Sequence, residues 1–260
     1  MENLTKRSEL LFTRDGLSLY GELILPEGDG PHPAVILCHG YGGNHTHNMG
    51  FAQFFAEHGF AAYAFDFAGG GWGSRSGGRS DGMSVLTEAA DLFAVMDGLA
   101  AMPGIDGDSL FLFGQSQGGF VCSYAAGRRP DRVRGLVALF PAYVIQDDTK
   151  KRAPDPDNIP ERMEVMGMPL GAVYHRDALS FDIYDVIRDY PGPVLLFHGT
   201  ADTLVPISYS ERAAKTFPAA RLVAVEGAGH GFGPEDGARV AEETLAFFRE
   251  NLKRPRAAAI

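Results

Sequence analysis

Ser116 stands in the run Gly114-Gln115-Ser116-Gln117-Gly118-Gly119, a hydroxyl set among residues with almost no side chain. The apolar stretch Leu110-Phe111-Leu112-Phe113 precedes it and the helix-forming stretch from Gln117 to Arg129 follows. A Gly-x-Ser-x-Gly string between strand and helix places the serine on a sharp turn at a strand's carboxyl end, with its Oγ open to a substrate. Without that setting the string is only a glycine-rich turn. A serine hydroxyl is a weak nucleophile until a base takes its proton, so the chain must also supply a base, an acid and donors for an oxyanion.

Eight histidines are available as the base. His230 lies in Glu226-Gly227-Ala228-Gly229-His230-Gly231-Phe232-Gly233, directly after the strand-like Leu222 to Val225. His32, His45, His47, His58 and His175 sit in turns, helices or a long insertion without a motif around them, and His45-x-His47 lacks a third metal ligand. Asp202, in His198-Gly199-Thr200-Ala201-Asp202, follows the apolar strand Val194 to Phe197 and is the expected acid. An aspartate there also suits a turn or helix cap before Pro206. The chain order serine, acid, histidine favours the catalytic assignment. Oxyanion donors are expected from the backbone N–H of Gln117, at a helix start, and of Tyr41 in His39-Gly40-Tyr41-Gly42-Gly43. The glycine-rich Phe67 to Ser74 lacks the lysine and the adjacent helix start of a phosphate-cradling loop.

These residues need a scaffold that delivers separate loops to one rim. Ser8 to Arg14 and Leu17 to Leu25 read as a hairpin turning at Asp15-Gly16. Ala34 to Cys38 is apolar at every position, as a strand covered on both faces should be. Helices over Met49 to His58, Ser84 to Ala101, Gln117 to Arg129, Ser208 to Phe217 and Arg239 to Leu252 alternate with strands over Phe60 to Phe65, Leu110 to Phe113, Val133 to Phe140, Val194 to Phe197 and Leu222 to Val225. That order predicts an α/β fold with a mostly parallel, doubly wound sheet, whose ligands gather at the strands' carboxyl ends. The stretch between Phe140 and Val194 is too long for a connection and too rich in methionine and aromatic residues for a disordered one. It is expected to be a lid over 141–185, on a core formed by 1–140 and 186–260.

With 260 residues, 45% hydrophobic, and a net charge of -10, the chain suits one large domain and not a nucleic-acid surface. Residues 1–30 hold no long apolar segment, and no later run would span a bilayer, so a cytoplasmic protein is expected. Cys38 and Cys122 have neither metal nor redox spacing and read as packing residues. The basic tail Lys253-Arg254-Pro255-Arg256 reads as solvated.

The chain resembles the α/β-hydrolase superfamily from about Ser8 to Leu252. The likeness rests on His39-Gly40-Tyr41-Gly42-Gly43, Gly114-Gln115-Ser116-Gln117-Gly118-Gly119, His198-Gly199-Thr200-Ala201-Asp202 and Gly227-Ala228-Gly229-His230. The proline-rich lid, with Pro156-Asp157-Asn158-Ile159-Pro160-Glu161-Arg162, is similar to that of bacterial feruloyl (cinnamoyl) esterases. The resemblance implies an α/β-hydrolase fold with about eight strands and a serine esterase acting on small hydroxycinnamate esters through Ser116, His230 and Asp202. It needs no metal or organic cofactor. It also implies that polar lid groups meet the substrate phenol, with Tyr174, Asp147, Asp148 and Gln146 as candidates. Glycine after His230 departs from a common family form. The same triad would serve a generic carboxylesterase, a thioesterase or a small serine peptidase, and the fold also serves non-catalytic ligand binders. Homodimer formation stays open.

Overall fold

The computed structural model describes residues 5–253; the basic tail from Arg254 onward lies outside the described residues. Strand β1 (Lys6–Arg14) turns through Asp15 and Gly16, both at positive φ, into β2 (Leu17–Leu25). Two left-handed residues give a hairpin turn whose twist matches that of the strands. The chain continues through β3 (His32–Cys38), α1 (Met49–Glu57), β4 (Ala61–Phe65), α2 (Val85–Ala100), β5 (Ile105–Gln115), α3 (Gln117–Arg128) and β6 (Gly135–Leu139). After α4 (Ile145–Arg152), the hairpin β7 (Arg162–Val165) and β8 (Met168–Gly171), α5 (Ala172–Leu179) and α6 (Ile183–Ile187), it rejoins the sheet as β9 (Val194–Gly199). Helix α7 (Ser208–Thr216), β10 (Ala220–Val225) and α8 (Pro234–Leu252) complete it.

The strands form an eight-stranded sheet in the order β1-β2-β4-β3-β5-β6-β9-β10. β1, β2 and β4 pair antiparallel and every later pairing is parallel. The central strands are apolar throughout because both faces are covered. Ile36, Leu110, Leu112, Leu136 and Leu196 point into the core under α2 and α3. Val35, Leu37, Phe111, Phe113 and Phe197 point to the opposite core with α1 and α8.

Helix α8 begins at Pro234, ahead of the expected Arg239. Proline suits a first turn and Glu235 and Asp236 favour the helix N-terminus, so a start without apolar residues hid the first turn from periodicity. β6 and β9 are neighbours in the sheet, so residues 140–193 leave it and return beside their exit. This inserted segment, not the sheet, holds α4, the β7–β8 hairpin, α5 and α6. Among the described residues no helix is long and apolar enough to cross a membrane.

The turn from β5 into α3 depends on close backbone approach. A Cβ on Gly118 would lie 2.4 Å from the His39 carbonyl oxygen and 2.5 Å from that of Cys38. Backbone cannot swing aside as a side chain can, so Gly118→Ala should lower stability by about 1–3 kcal/mol. A shifted urea midpoint at constant m-value is the check, and an unchanged midpoint would contradict the packing described here.

Candidate active site

Ser116 links β5 to α3 at φ 50 and ψ -118, a conformation rarely held by a residue with a Cβ. Three backbone hydrogen bonds fix it: its N–H donates to Leu139 (2.9 Å), and its carbonyl accepts from Phe120 (3.1 Å) and Ala142 (2.9 Å). The expected strand-turn-helix is therefore present, with Oγ at the sheet's carboxyl edge.

The loops after β9 and β10 reach the same edge. They are laced together where Ala201 N–H donates to the Ala228 carbonyl (2.9 Å) and Gly227 N–H to Thr200 Oγ1 (2.8 Å). His230 Nε2 lies 2.9 Å from Ser116 Oγ, and His230 Nδ1 lies 2.7 Å from Asp202 Oδ2. With Nδ1–H donated to the carboxylate, Nε2 carries the lone pair that faces the serine hydroxyl. Asp202 is buried, and its Oδ1 accepts from the N–H groups of Leu204 and Val205, both at 2.9 Å. The structure thus brings together the three side chains that lie far apart in sequence.

His198 adds a contact that the sequence did not single out. Its Nε2–H donates to the Val205 carbonyl (2.8 Å) with Asp202 Oδ2 at 3.3 Å, and its Nδ1 accepts from Ser210 (2.7 Å). Burial lowers the His198 pKa from its ordinary value, which keeps this buried donor uncharged.

The Tyr41 loop crosses the edge beside the serine: a Cβ on Gly40 would lie 3.1 Å from Ser116 Cβ. His39 braces that loop, donating Nδ1–H to the Gly40 carbonyl (2.8 Å) and accepting at Nε2 from Phe67 N–H (3.1 Å). Burial pulls its pKa down to about 4, so it stays neutral and can do both. The glycine-rich Phe67 to Ser74 is a second brace, with Gly42 N–H donating to Gly70 (3.2 Å) and Trp72 N–H to Gly42 (3.1 Å). Trp72 is 55% exposed; its ring lies on Gly42, and a Cβ on Gly167 in the β7–β8 turn would lie 4.0 Å from it. The N–H groups of Tyr41 and Gln117 have no acceptor in the backbone hydrogen bonds among the described residues.

A cleft of about 250 Å³ opens over Ser116 and His230. It is just below the roughly 300–1,000 Å³ usual for small-molecule sites. Its walls include Phe140, Val144, Ile145, Val165, Met166 and Leu204, with Asp148, Arg152 and Tyr174 as polar members. Phe140 also packs edge-on against His230, centroids 4.8 Å apart.

Of the four residues expected to meet a substrate phenol, the structure puts Tyr174 and Asp148 in this cleft and the other two elsewhere. Gln146 corrects the expectation: its amide donates to the Ala178 carbonyl (2.9 Å) and accepts from Ile183 N–H (3.0 Å), pinning the inserted segment to itself. Asp147 faces α7, where Tyr209 donates to it at 2.8 Å and holds its carboxyl below the usual range. On α4 a one-residue step turns a side chain about 100°, and Asp147 and Asp148 face different hollows. Tyr174 Oη donates to Gln117 Oε1 at 2.8 Å.

The remaining histidines serve other purposes. His45 Nδ1 lies 2.8 Å from Asp66, whereas His47 lines the cleft, so the two do not converge. His58 Nδ1 caps the Phe54 carbonyl at 2.7 Å. His175 is buried in α5 and His32 lies 3.4 Å from the Gly28 carbonyl. Among the described residues no three histidine, cysteine or acidic side chains cluster as metal ligands. Cys38 and Cys122 are buried free thiols.

Comparison with known proteins agrees with this geometry. The alpha/beta hydrolase fold family model matches residues 33–163, and a model of TAP-like proteins matches residues 182–258. Est1E from Butyrivibrio proteoclasticus, solved with bound ferulic acid, is similar with a TM-score of 0.85 and 26% identity, over 94% of this chain and 100% of that one. A monoacylglycerol lipase of Mycolicibacterium smegmatis is 26% identical over 225 residues, 75% of this chain and 79% of its own. An uncharacterized protein of Mycobacterium tuberculosis is 27% identical over 233 residues, 86% of this chain and 72% of its own. Half of the chain falls within one family model, and its sheet order carries a serine turn and a histidine loop to a common edge: the chain belongs to the α/β-hydrolase family.

Proposed function

We propose that this protein is a serine carboxylic-ester hydrolase that cleaves small hydroxycinnamate esters through an acyl-enzyme. The observation that carries the reading is the hydrogen-bonded file Asp202, His230, Ser116, with contacts of 2.7 and 2.9 Å. Ser116 attacks the ester carbonyl while His230 Nε2 takes its proton. Asp202 balances the imidazolium, and the N–H groups of Tyr41 and Gln117 receive the developing oxyanion. His230 then protonates the leaving alcohol, and water releases the acid by the same route. Rapid, stoichiometric labelling of Ser116 by a fluorophosphonate, together with methyl ferulate turnover, tests the reading; a wild-type protein that does neither would end it.

The acyl choice is supported by the cleft and by its likeness to a structure that holds ferulic acid. We assign the inserted segment as a lid, with Val144, Ile145 and Val165 receiving the aromatic ring and Asp148 accepting from the phenol. Asp148 is flanked by Lys151 (3.3 Å) and Arg152 (3.6 Å) and presents carboxylate oxygens that can accept a hydrogen bond. Because a hydrogen bond to a charged group contributes about 1.5–3 kcal/mol, Asp148→Ala, which removes the acceptor, should raise KM for methyl ferulate at least about tenfold. KM for p-nitrophenyl acetate, which offers no phenol, should stay within about twofold. Equal changes for both esters would remove Asp148 from the specificity role.

A second reading, a carboxylesterase for aliphatic acyl groups, is favoured by the exposed Met166 and Leu204 at the cleft. A kcat/KM for p-nitrophenyl butyrate well above that for methyl ferulate would select it.

A further inference from the structure

Glu88, on the first turn of α2, is only 1% exposed and lies directly behind the serine turn. Its Oε2 accepts from Gln117 Nε2 at 2.8 Å. Gln117 Oε1 accepts in turn from Tyr174 Oη at 2.8 Å, and Met83 Sδ closes the surround at 3.8 Å from Nε2. Both ends of one buried amide are therefore taken, one by a core helix and the other by the inserted segment. A primary amide carries a donor and an acceptor on one rigid plane, which is what a carboxyl on one side and a hydroxyl on the other require.

We propose that Glu88 and Tyr174 are positioning residues that hold Gln117, and with it the backbone N–H aimed at the oxyanion, from opposite sides. The inference rests on the ester-hydrolase reading above. Ser116 holds a positive φ, and the peptide it shares with Gln117 is held through its carbonyl by Phe120 and Ala142; the two side-chain contacts add a hold on Gln117 itself. Oxyanion stabilisation depends on donors that are already in place when charge develops. Tyr174 also extends the clamp into the segment that roofs the cleft, so a change in the roof reaches the reaction centre through two hydrogen bonds.

The surroundings of Glu88 fit an uncharged acid. Burial pushes its carboxyl well above its ordinary 4.5, and Asp91 on the same helix adds to the rise. The other titratable groups near it are Cys38 of β3, Tyr41 and Tyr174, all held in their neutral forms by burial; Asp91 is itself paired with Arg14. An acid whose folded pKa is raised contributes stability below the unfolded value and loses it as pH rises toward the folded value. Glutamine in its place has no such dependence.

The test is steady-state hydrolysis of p-nitrophenyl acetate by Glu88→Leu, Glu88→Gln, Gln117→Met and the Glu88→Leu/Gln117→Met double variant. Glu88→Leu and Gln117→Met should each lower kcat by about 10- to 100-fold with KM within about twofold, since mis-aiming a donor costs about as much as losing part of it. Glu88→Gln, whose amide oxygen can still accept from Gln117, should recover kcat to within about threefold. The double variant should be no slower than the slower single one, as expected for two ends of one contact. The stability of Glu88→Gln over wild type, from urea unfolding, should grow from about pH 5 to pH 8. If Glu88→Leu does not fold, Gln117→Met and the pH series carry the test. Wild-type kcat in Gln117→Met, additive losses in the double variant, or a Glu88→Gln as slow as Glu88→Leu would overturn the proposal while leaving the esterase reading intact. A wild-type enzyme without turnover would overturn both.

Discussion

Ser116→Ala should lower kcat for p-nitrophenyl acetate by about 10⁶-fold, the loss that follows removal of a triad nucleophile in other serine hydrolases. The variant should fold, because Ser116 secures the turn through its backbone N–H and carbonyl, while the hydrogen bond of its Oγ among the described residues is to the imidazole. Its thermal midpoint should therefore stay within a few degrees of wild type, and fluorophosphonate labelling should disappear. Residual turnover within about tenfold of wild type would mean that another group attacks the ester.

Asp202→Asn is the second large effect, and the local hydrogen bonds determine its direction. Oδ1 is held by two backbone N–H donors from Leu204 and Val205, so the amide oxygen of asparagine must take that place. The amide NH₂ is then left where Oδ2 stood, facing Nδ1 of His230 and Nε2 of His198. His230 can no longer donate from Nδ1; it moves its proton to Nε2, the nitrogen that must accept from Ser116. A fall in kcat of about 10⁴-fold with little change in KM is expected. Losses of less than about tenfold across pH 6–9 would show that tautomer control by Asp202 is dispensable.

The sequence made the catalytic edge readable because most participants stand just past a run that is apolar at every position. Such strands occur where helices cover both faces, as the split of Leu112 and Phe113 between two cores illustrates. Ser116, Asp202 and the Tyr41 loop each follow one of those strands, whereas His230 follows the edge strand β10, with Arg221 and Ala224 exposed, and was marked by its glycine-rich loop and its place in the chain order. The cleft's far wall was less readable because the inserted segment is organised by its own tertiary contacts. Gln146 and Asp147 neighbour Asp148 in the chain, yet one is tied to backbone and the other to Tyr209. Glu88 did leave a trace: with Val85, Ala89, Leu92 and Val95 buried, an acid three residues after Val85 falls on the packed face of α2. Its partner, however, is Gln117, in another element and beyond any short-range pattern.

Trp72 is the chain's single tryptophan, and its ring lies on Gly42 of the core at the seam with the β7–β8 turn, where a Cβ on Gly167 would lie 4.0 Å from it. All indole emission from this enzyme accordingly originates at that seam. Any displacement of the inserted segment from the core would change the water around this half-exposed ring, so the chain's own fluorescence would report it without an attached dye.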